Sequence, residues 1–172
     1  MKSAQISYHS EFPQTPLSGW VGVRMLAWAR ERTASGQLTR PRSFPHPFLA
    51  QRKLWCQATV SFDTAKLRFA LPQELDHFLD VMLQNPLPSG ASLVAGHAVG
   101  RPNRHWLSRL PKRLMPWKTR QRLCRYLTTA PELRDLREFY RDQPVRFSFP
   151  GYFNSYMEAY NATDAHEEQT IH

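Results

Sequence analysis

The stretch LWCQATVSFDTAKLRFALPQELDHFLDVM, residues 54–82, decides the fold. In its first run, Cys56, Ala58, Val60 and Phe62 alternate with Trp55, Gln57, Thr59 and Ser61. In its second, Leu67, Phe69 and Leu71 alternate with Lys66, Arg68 and Ala70. Successive side chains on a strand point to opposite faces, so each run has one core face and one outer face. The short connection Asp63-Thr64-Ala65 joins them, and the pair predicts a β-hairpin over 54–62 and 66–71. Pro72 then opens a helix to about Asn85. Leu75, Phe78, Leu79 and Met82 fall at i, i+3, i+4 and i+7, which is one helical face. Glu74 and Asp76 lie in its first turn, where the helix dipole favours negative charge, and both read as solvated.

Downstream, 86–103 reads as a loop with a brief strand at Leu93-Val94, followed by a short helical turn over 104–110. Pro111 and Pro116 bracket a break, and a helix follows over 117–128. Thr129 and Glu132 then spell a capping box that starts another helix to about Asp142, buried through Leu133, Leu136 and Tyr140. Val145, Phe147 and Phe149 alternate with Arg146 and Ser148 and predict a third strand, 145–149. A last short helix is expected over 152–160 and a disordered polar tail over 161–172.

Upstream, residues 1–15 read as an extended arm. Ser18 reads as the N-cap of a helix to about Ala34. Its apolar residues Trp20, Val21, Val23, Met25, Leu26 and Trp28 surround the helix, so it is either buried or shared with a partner. Residues 39–47 form a proline-rich loop. The sum is an α+β chain: one helix-dominated domain over 1–160 with a small antiparallel sheet.

The charge is distributed unevenly. The chain has 23 Lys+Arg and 14 Asp+Glu, a formal excess of +9. Nine of these cations lie between Arg101 and Arg125: Arg101, Arg104, Arg109, Lys112, Arg113, Lys118, Arg120, Arg122 and Arg125. Without them the balance is 14 against 14, and no acidic residue occurs between Asp80 and Glu132. Charge gathered in one segment steers a polyanion, whereas scattered charge mainly aids solubility. Arginine also predominates, and its guanidinium forks onto phosphate oxygens.

On a helix, Lys118, Arg122 and Arg125 fall within about 60° of one another. Trp117, Leu123, Cys124 and Leu127 occupy a separate arc suited to a core. Arg120 falls inside that arc and is expected to pair with Glu132 or Asp135. Arg101, Arg104, Arg109, Lys112 and Arg113 extend the basic face as a stiff loop, with Trp106 placed to stack on an exposed base. Arg40 and Arg42 add two cations from the proline-rich loop. Trp55, Lys66, Arg68 and Arg146 mark a second surface on the outer face of the hairpin, of the kind sheet-type single-strand binders use.

The helix pair 117–142 is not read as a DNA-reading helix-turn-helix. Its second helix carries Glu132, Asp135, Glu138 and Asp142, which would repel the walls of a groove. Catalytic signals are weak. Arg40 and His46 only approximate a ribonuclease spacing. His97 and His105 lack a cysteine or carboxylate nearby to complete a zinc site. The loop from Gly96 to Arg101 lacks the ending of a phosphate loop. Cys124 reads as a buried, inert thiol despite its basic neighbours.

No cofactor and no metal are expected. The segment MKSAQISYHSEFPQTP has no apolar signal core, and no stretch is long and apolar enough to span a bilayer, so a cytoplasmic protein without a membrane partner is expected. The expected function is non-enzymatic binding of nucleic acid, RNA or DNA, as a subunit or accessory factor of a nucleoprotein complex with a protein partner. An adaptor or inhibitor that binds an acidic protein surface, and a small nuclease with dispersed catalytic residues, remain as alternatives.

Overall fold

The computed structural model describes residues 2–23, 31–32, 34–35, 38–39, 48–94 and 105–147. Among them lie the strands β1 (Lys2–His9), β2 (Glu31–Arg32), β3 (Leu38–Thr39), β4 (Trp55–Phe62) and β5 (Ala65–Phe69). The helices are α1 (Pro72–Met82), α2 (Trp117–Thr129) and α3 (Pro131–Arg141). This is the expected α+β, helix-dominated architecture with a small antiparallel sheet. The chain divides into two units, Met1–Val21 with Leu54–Pro144, and Gly22–Lys53 with Val145–His172.

The first unit is built on the expected hairpin. β4 and β5 pair antiparallel from Ala58↔Phe69 to Phe62↔Ala65. The third strand is β1, which pairs antiparallel along β4 from Lys2↔Phe62 to His9↔Trp55. The arm expected at the N-terminus is thus extended, but as an edge strand of the sheet, in the order β1-β4-β5. The segment after β1 also covers the outer face of β4. Phe12 meets Trp55 edge-on at 5.0 Å, and the Gln57 side chain donates from Nε2 to the carbonyl of Pro13 at 3.2 Å. Trp55, Gln57 and Thr59 are therefore buried, and Trp55 is not part of an open outer face.

On the inner face α3 packs across β1 and β4, and α1 packs on β5. Cys56, Ala58, Val60, Phe62, Leu67 and Phe69 are buried with Leu75, Phe78, Leu133 and Leu136 in the core, each fully buried Val, Leu or Phe contributing on the order of 1.5–3 kcal/mol. The Tyr140 hydroxyl accepts from the Cys56 N–H at 3.0 Å and donates to the Cys56 carbonyl at 3.1 Å. One phenol thus holds both polar groups of a central-strand residue.

Several local expectations are corrected. The helix expected from Ser18 is a 3-10 turn, Ser18–Trp20, and Glu31–Arg32 is a strand. Glycine at 19 and 22 weakens a helix there, and Gly22 has φ +98°, outside the helical region. The Ser18 hydroxyl does not cap a helix. It accepts from Thr15 N–H at 2.9 Å and donates to Glu74 Oε1 at 2.6 Å. Residues 24–30 of that expected helix lie outside the described residues. The brief strand at Leu93-Val94 is a turn, with Val94 N–H bonded to the carbonyl of Ala91.

A further correction concerns the join of α2 and α3. Thr129 belongs to α2, and its hydroxyl donates back to the carbonyl of Arg125 at 2.8 Å. Ala130 takes the cap position without a side-chain bond, and Pro131 opens α3. The capping box does not form because proline already fixes the first helical turn.

Glu74 departs furthest from its solvated reading. It is 0% exposed, with Oε2 accepting from the Ala70 N–H at 2.6 Å. Burial raises its carboxyl above the usual range, against the lowering effect of the bonds from Ser18 and Ala70. Asp76, two residues on and so on the opposite side of α1, is exposed and forms a forked ion pair with Arg137.

In the second unit, β2 and β3 pair in register Glu31↔Thr39 and Arg32↔Leu38. The segment 145–147 is not a strand. Its Arg146 backbone is held at both ends by one side chain: Gln51 Oε1 accepts from the N–H and Nε2 donates to the carbonyl, each at 2.8 Å. Phe147 stacks on Phe48 at 5.8 Å and lies 3.7 Å from where a Cβ at Gly22 would stand. Residues 148–149, the helix expected over 152–160 and the tail over 161–172 lie outside the described residues.

Candidate nucleic-acid interface

The charged residues that α2 exposes are all cationic. Leu123, Cys124 and Leu127 are buried, and Lys118, Arg122 and Arg125 are exposed, as the wheel predicts. Arg120 is buried as expected, at 3% exposure, but its partners are not carboxylates. Its Nη1 donates to the carbonyls of Met82 at 2.8 Å and Gln84 at 2.6 Å, and its Nε to that of Met115 at 2.8 Å. The last carbonyls of a helix lack intrahelical donors and carry the negative end of the dipole. A cation there at the end of α1 satisfies them and fixes α2 against α1. The Trp117 ring lies 4.9 Å under the Arg120 guanidinium.

The loop half is organised by histidine. His105 Nδ1 accepts from the Leu107 N–H at 3.1 Å and so caps the turn Trp106–Arg109. Trp106, expected to stack on a base, is 3% exposed. Its indole N–H donates to His77 Nε2 at 3.0 Å, and its ring stacks on Phe78 at 5.0 Å. A large apolar ring with a satisfied N–H belongs in a core. Trp117 takes the other role: it is half-buried and borders a shallow groove with Leu83, Gln121, Cys124, Arg125 and Thr128, where Leu83 is 49% exposed. The two tryptophans exchange the positions expected of them.

Arg109, Lys112 and Arg113 are exposed. Arg101, Arg104, Arg40, Arg42, His46 and His97 lie outside the described residues. Among the described residues, ion pairs join Arg137 to Asp76, and Arg141 to Glu138 and Asp142. None involves Arg109, Lys112, Arg113, Lys118, Arg122 or Arg125. α3 carries both signs, and its pairs are formed within it, to its C-cap residue Asp142 and to α1.

The structure adds cations that lie far away in sequence. Lys2 Nζ sits 5.3 Å from the centre of the Phe62 ring, and the Arg122 guanidinium 6.0 Å from it. The signal for Lys2 is the β1 register, which places it opposite Phe62. Lys66 and Arg68, on the exposed side of β5, meet Arg109 around a cleft of about 180 Å³ also lined by Leu67, Phe78 and Trp106. Arg146 belongs to the second unit.

Cys124 and His105 are buried, and His77 accepts from the Trp106 indole. Burial pushes the Cys124 thiol up to about 11, against the lowering influence of Arg120, so little reactive thiolate forms at neutral pH. Burial also lowers the His77 and His105 pKa values; nearby His77 adds to this at His105, while Asp80 opposes it at His77. Among the described residues, no three His, Cys, Asp or Glu side chains gather to hold a metal ion, and no helix is long and apolar enough to cross a membrane. What the exposed arrangement offers chemically is multivalent recognition of anions. The chain matches no family model, no curated protein and no solved structure.

Proposed function

We propose that this protein binds nucleic acid without catalysing a reaction on it, as an accessory component of a nucleoprotein complex. One observation carries the reading: Arg109, Lys112, Arg113, Lys118, Arg122 and Arg125 are exposed, and none is paired with a carboxylate among the described residues. Lys118, Arg122 and Arg125 stand about one helical turn apart, roughly 5.4 Å along the axis, on a helix that Arg120 and an apolar arc hold in place. That spacing suits phosphates along one backbone. Trp117 supplies a partly exposed aromatic surface beside Arg125 on which a base can stack.

A binding panel of single- and double-stranded RNA and DNA, titrated with salt, tests the reading. Neutralising six phosphates gives a log–log salt slope of about −5 on duplex and about −4 on single strands. Purified protein should also carry nucleic acid that nuclease removes. Weak, salt-insensitive binding to all four, with a retained acidic protein instead, would favour an adaptor.

A further inference from the structure

We infer that the cleft between β5 and the turn Trp106–Arg109 receives one unpaired base, so that the protein prefers single-stranded to double-stranded nucleic acid. The inference rests on the nucleic-acid reading and specifies which form of nucleic acid is bound. The cleft has an apolar interior of Leu17, Leu67, Phe78 and Trp106, and its cations are Lys66, Arg68 and Arg109. Among the described residues no carboxylate lines it, so its charge complements an anion attached to an apolar group. A nucleotide has that composition: an apolar face and a phosphate.

Size narrows the occupant. At about 180 Å³ the cleft is smaller than the roughly 300–1,000 Å³ of sites for drug-sized ligands, and it suits one ring system rather than a peptide segment. A base within a duplex is stacked on both sides and cannot enter a cleft unless it leaves the stack. A base in a single strand is already free to do so. Lys66 and Arg68 are two residues apart on an extended strand, about 7 Å, a separation matched to successive phosphates of a stretched chain.

The interior is also preorganised. Trp106 is fixed by its bond to His77 and its stacking on Phe78, and His105 caps the turn that carries Arg109. Little ordering is needed on binding, which favours affinity from a small contact.

The test compares a 12-mer single strand with the matching duplex by fluorescence anisotropy at fixed salt, using the full chain. Wild type is expected to bind the single strand about tenfold more tightly, because a duplex must first unstack the base that enters the cleft. Leu110 also lines the cleft, so Leu110→Trp, which places an indole there, and Lys66→Ala with Arg68→Ala, both exposed on an edge strand, should each remove that preference. Duplex binding should stay within about twofold for Leu110→Trp. A 2-aminopurine placed in the strand should be quenched on binding by wild type and not by Leu110→Trp. Binding without strand preference, or a preference that survives both variants, would overturn this inference alone. No binding to either form would overturn the nucleic-acid reading as well.

Discussion

Arg120 Nη1 donates to the carbonyl oxygen of Met82 at 2.8 Å, joining the basic helix α2 to the C-terminal end of α1. The same guanidinium reaches Gln84 and Met115. The cation that is not exposed is therefore the one that positions those that are. Hydrogen bonds from a charged group contribute roughly 1.5–3 kcal/mol each, and they are not additive. Arg120→Ala is expected to destabilise the fold by about 3 kcal/mol in urea unfolding, chiefly by orphaning buried carbonyls. Arg120→Lys should recover part of this. A loss below about 1 kcal/mol would contradict the role.

Tyr140 makes a similar prediction for the sheet. Tyr140→Phe removes the hydroxyl that meets both the N–H and the carbonyl of Cys56. The expected cost is about 1–3 kcal/mol, with nucleic-acid affinity unchanged under conditions where the variant is folded. Equal stability of the two proteins would show that water replaces the phenol.

Glu74 gives the chain a pH dependence of unusual sign for a carboxylate. Burial raises its folded pKa above the ordinary value of 4.5. Its contribution is therefore fully present below that value and is lost as pH rises through the folded pKa. Glu74→Gln stays neutral throughout, with its amide N–H₂ able to donate to the Ser18 hydroxyl and its oxygen able to accept from Ala70. The stability of Glu74→Gln relative to wild type should increase as pH rises above 4.5 and then level off. A constant difference across pH 4 to about 8 would contradict the assignment.

His105 acts in the opposite direction. Burial and neighbouring His77 hold its pKa below the ordinary 6.5, so its stabilising contribution is complete above 6.5 and falls as acidification carries pH through the folded value. His105→Asn keeps a side-chain acceptor for the Leu107 N–H and does not titrate. Unfolding curves at pH 7.5 and about 5.5 should show a smaller loss for the variant than for wild type.

Much of the fold was legible because the patterns responsible for it are local. Alternation marked β4 and β5, and the i, i+3, i+4, i+7 spacing of Leu75, Phe78, Leu79 and Met82 marked α1. Lys2–His9 carries the same alternation through Ala4, Ile6 and Tyr8, but its polar partners hide it, and only pairing with β4 makes it a strand. Glu74 was misread because Ser18, the hydroxyl that satisfies it, lies 56 residues away. In the candidate interface, the wheel separated Lys118, Arg122 and Arg125 from the core and placed Arg120 inside. It did not reveal that the partners of Arg120 are helix-end carbonyls, since any helix end supplies them. Trp106 and Trp117 were exchanged because composition does not show which indole finds a hydrogen-bond acceptor.

The central claim concerns position of charge, not its amount. Arg122 on α2 and Arg134 on α3 are both exposed, and reversing either to glutamate changes the net charge equally. The most direct measurement is salt-titrated binding of a fluorescent oligonucleotide to wild type, Arg122→Glu and Arg134→Glu. Arg122→Glu is predicted to weaken binding about tenfold at low salt and to reduce the magnitude of the log–log slope by about 1, with Arg134→Glu close to wild type. Equal losses for the two variants, or none for either, would contradict the account.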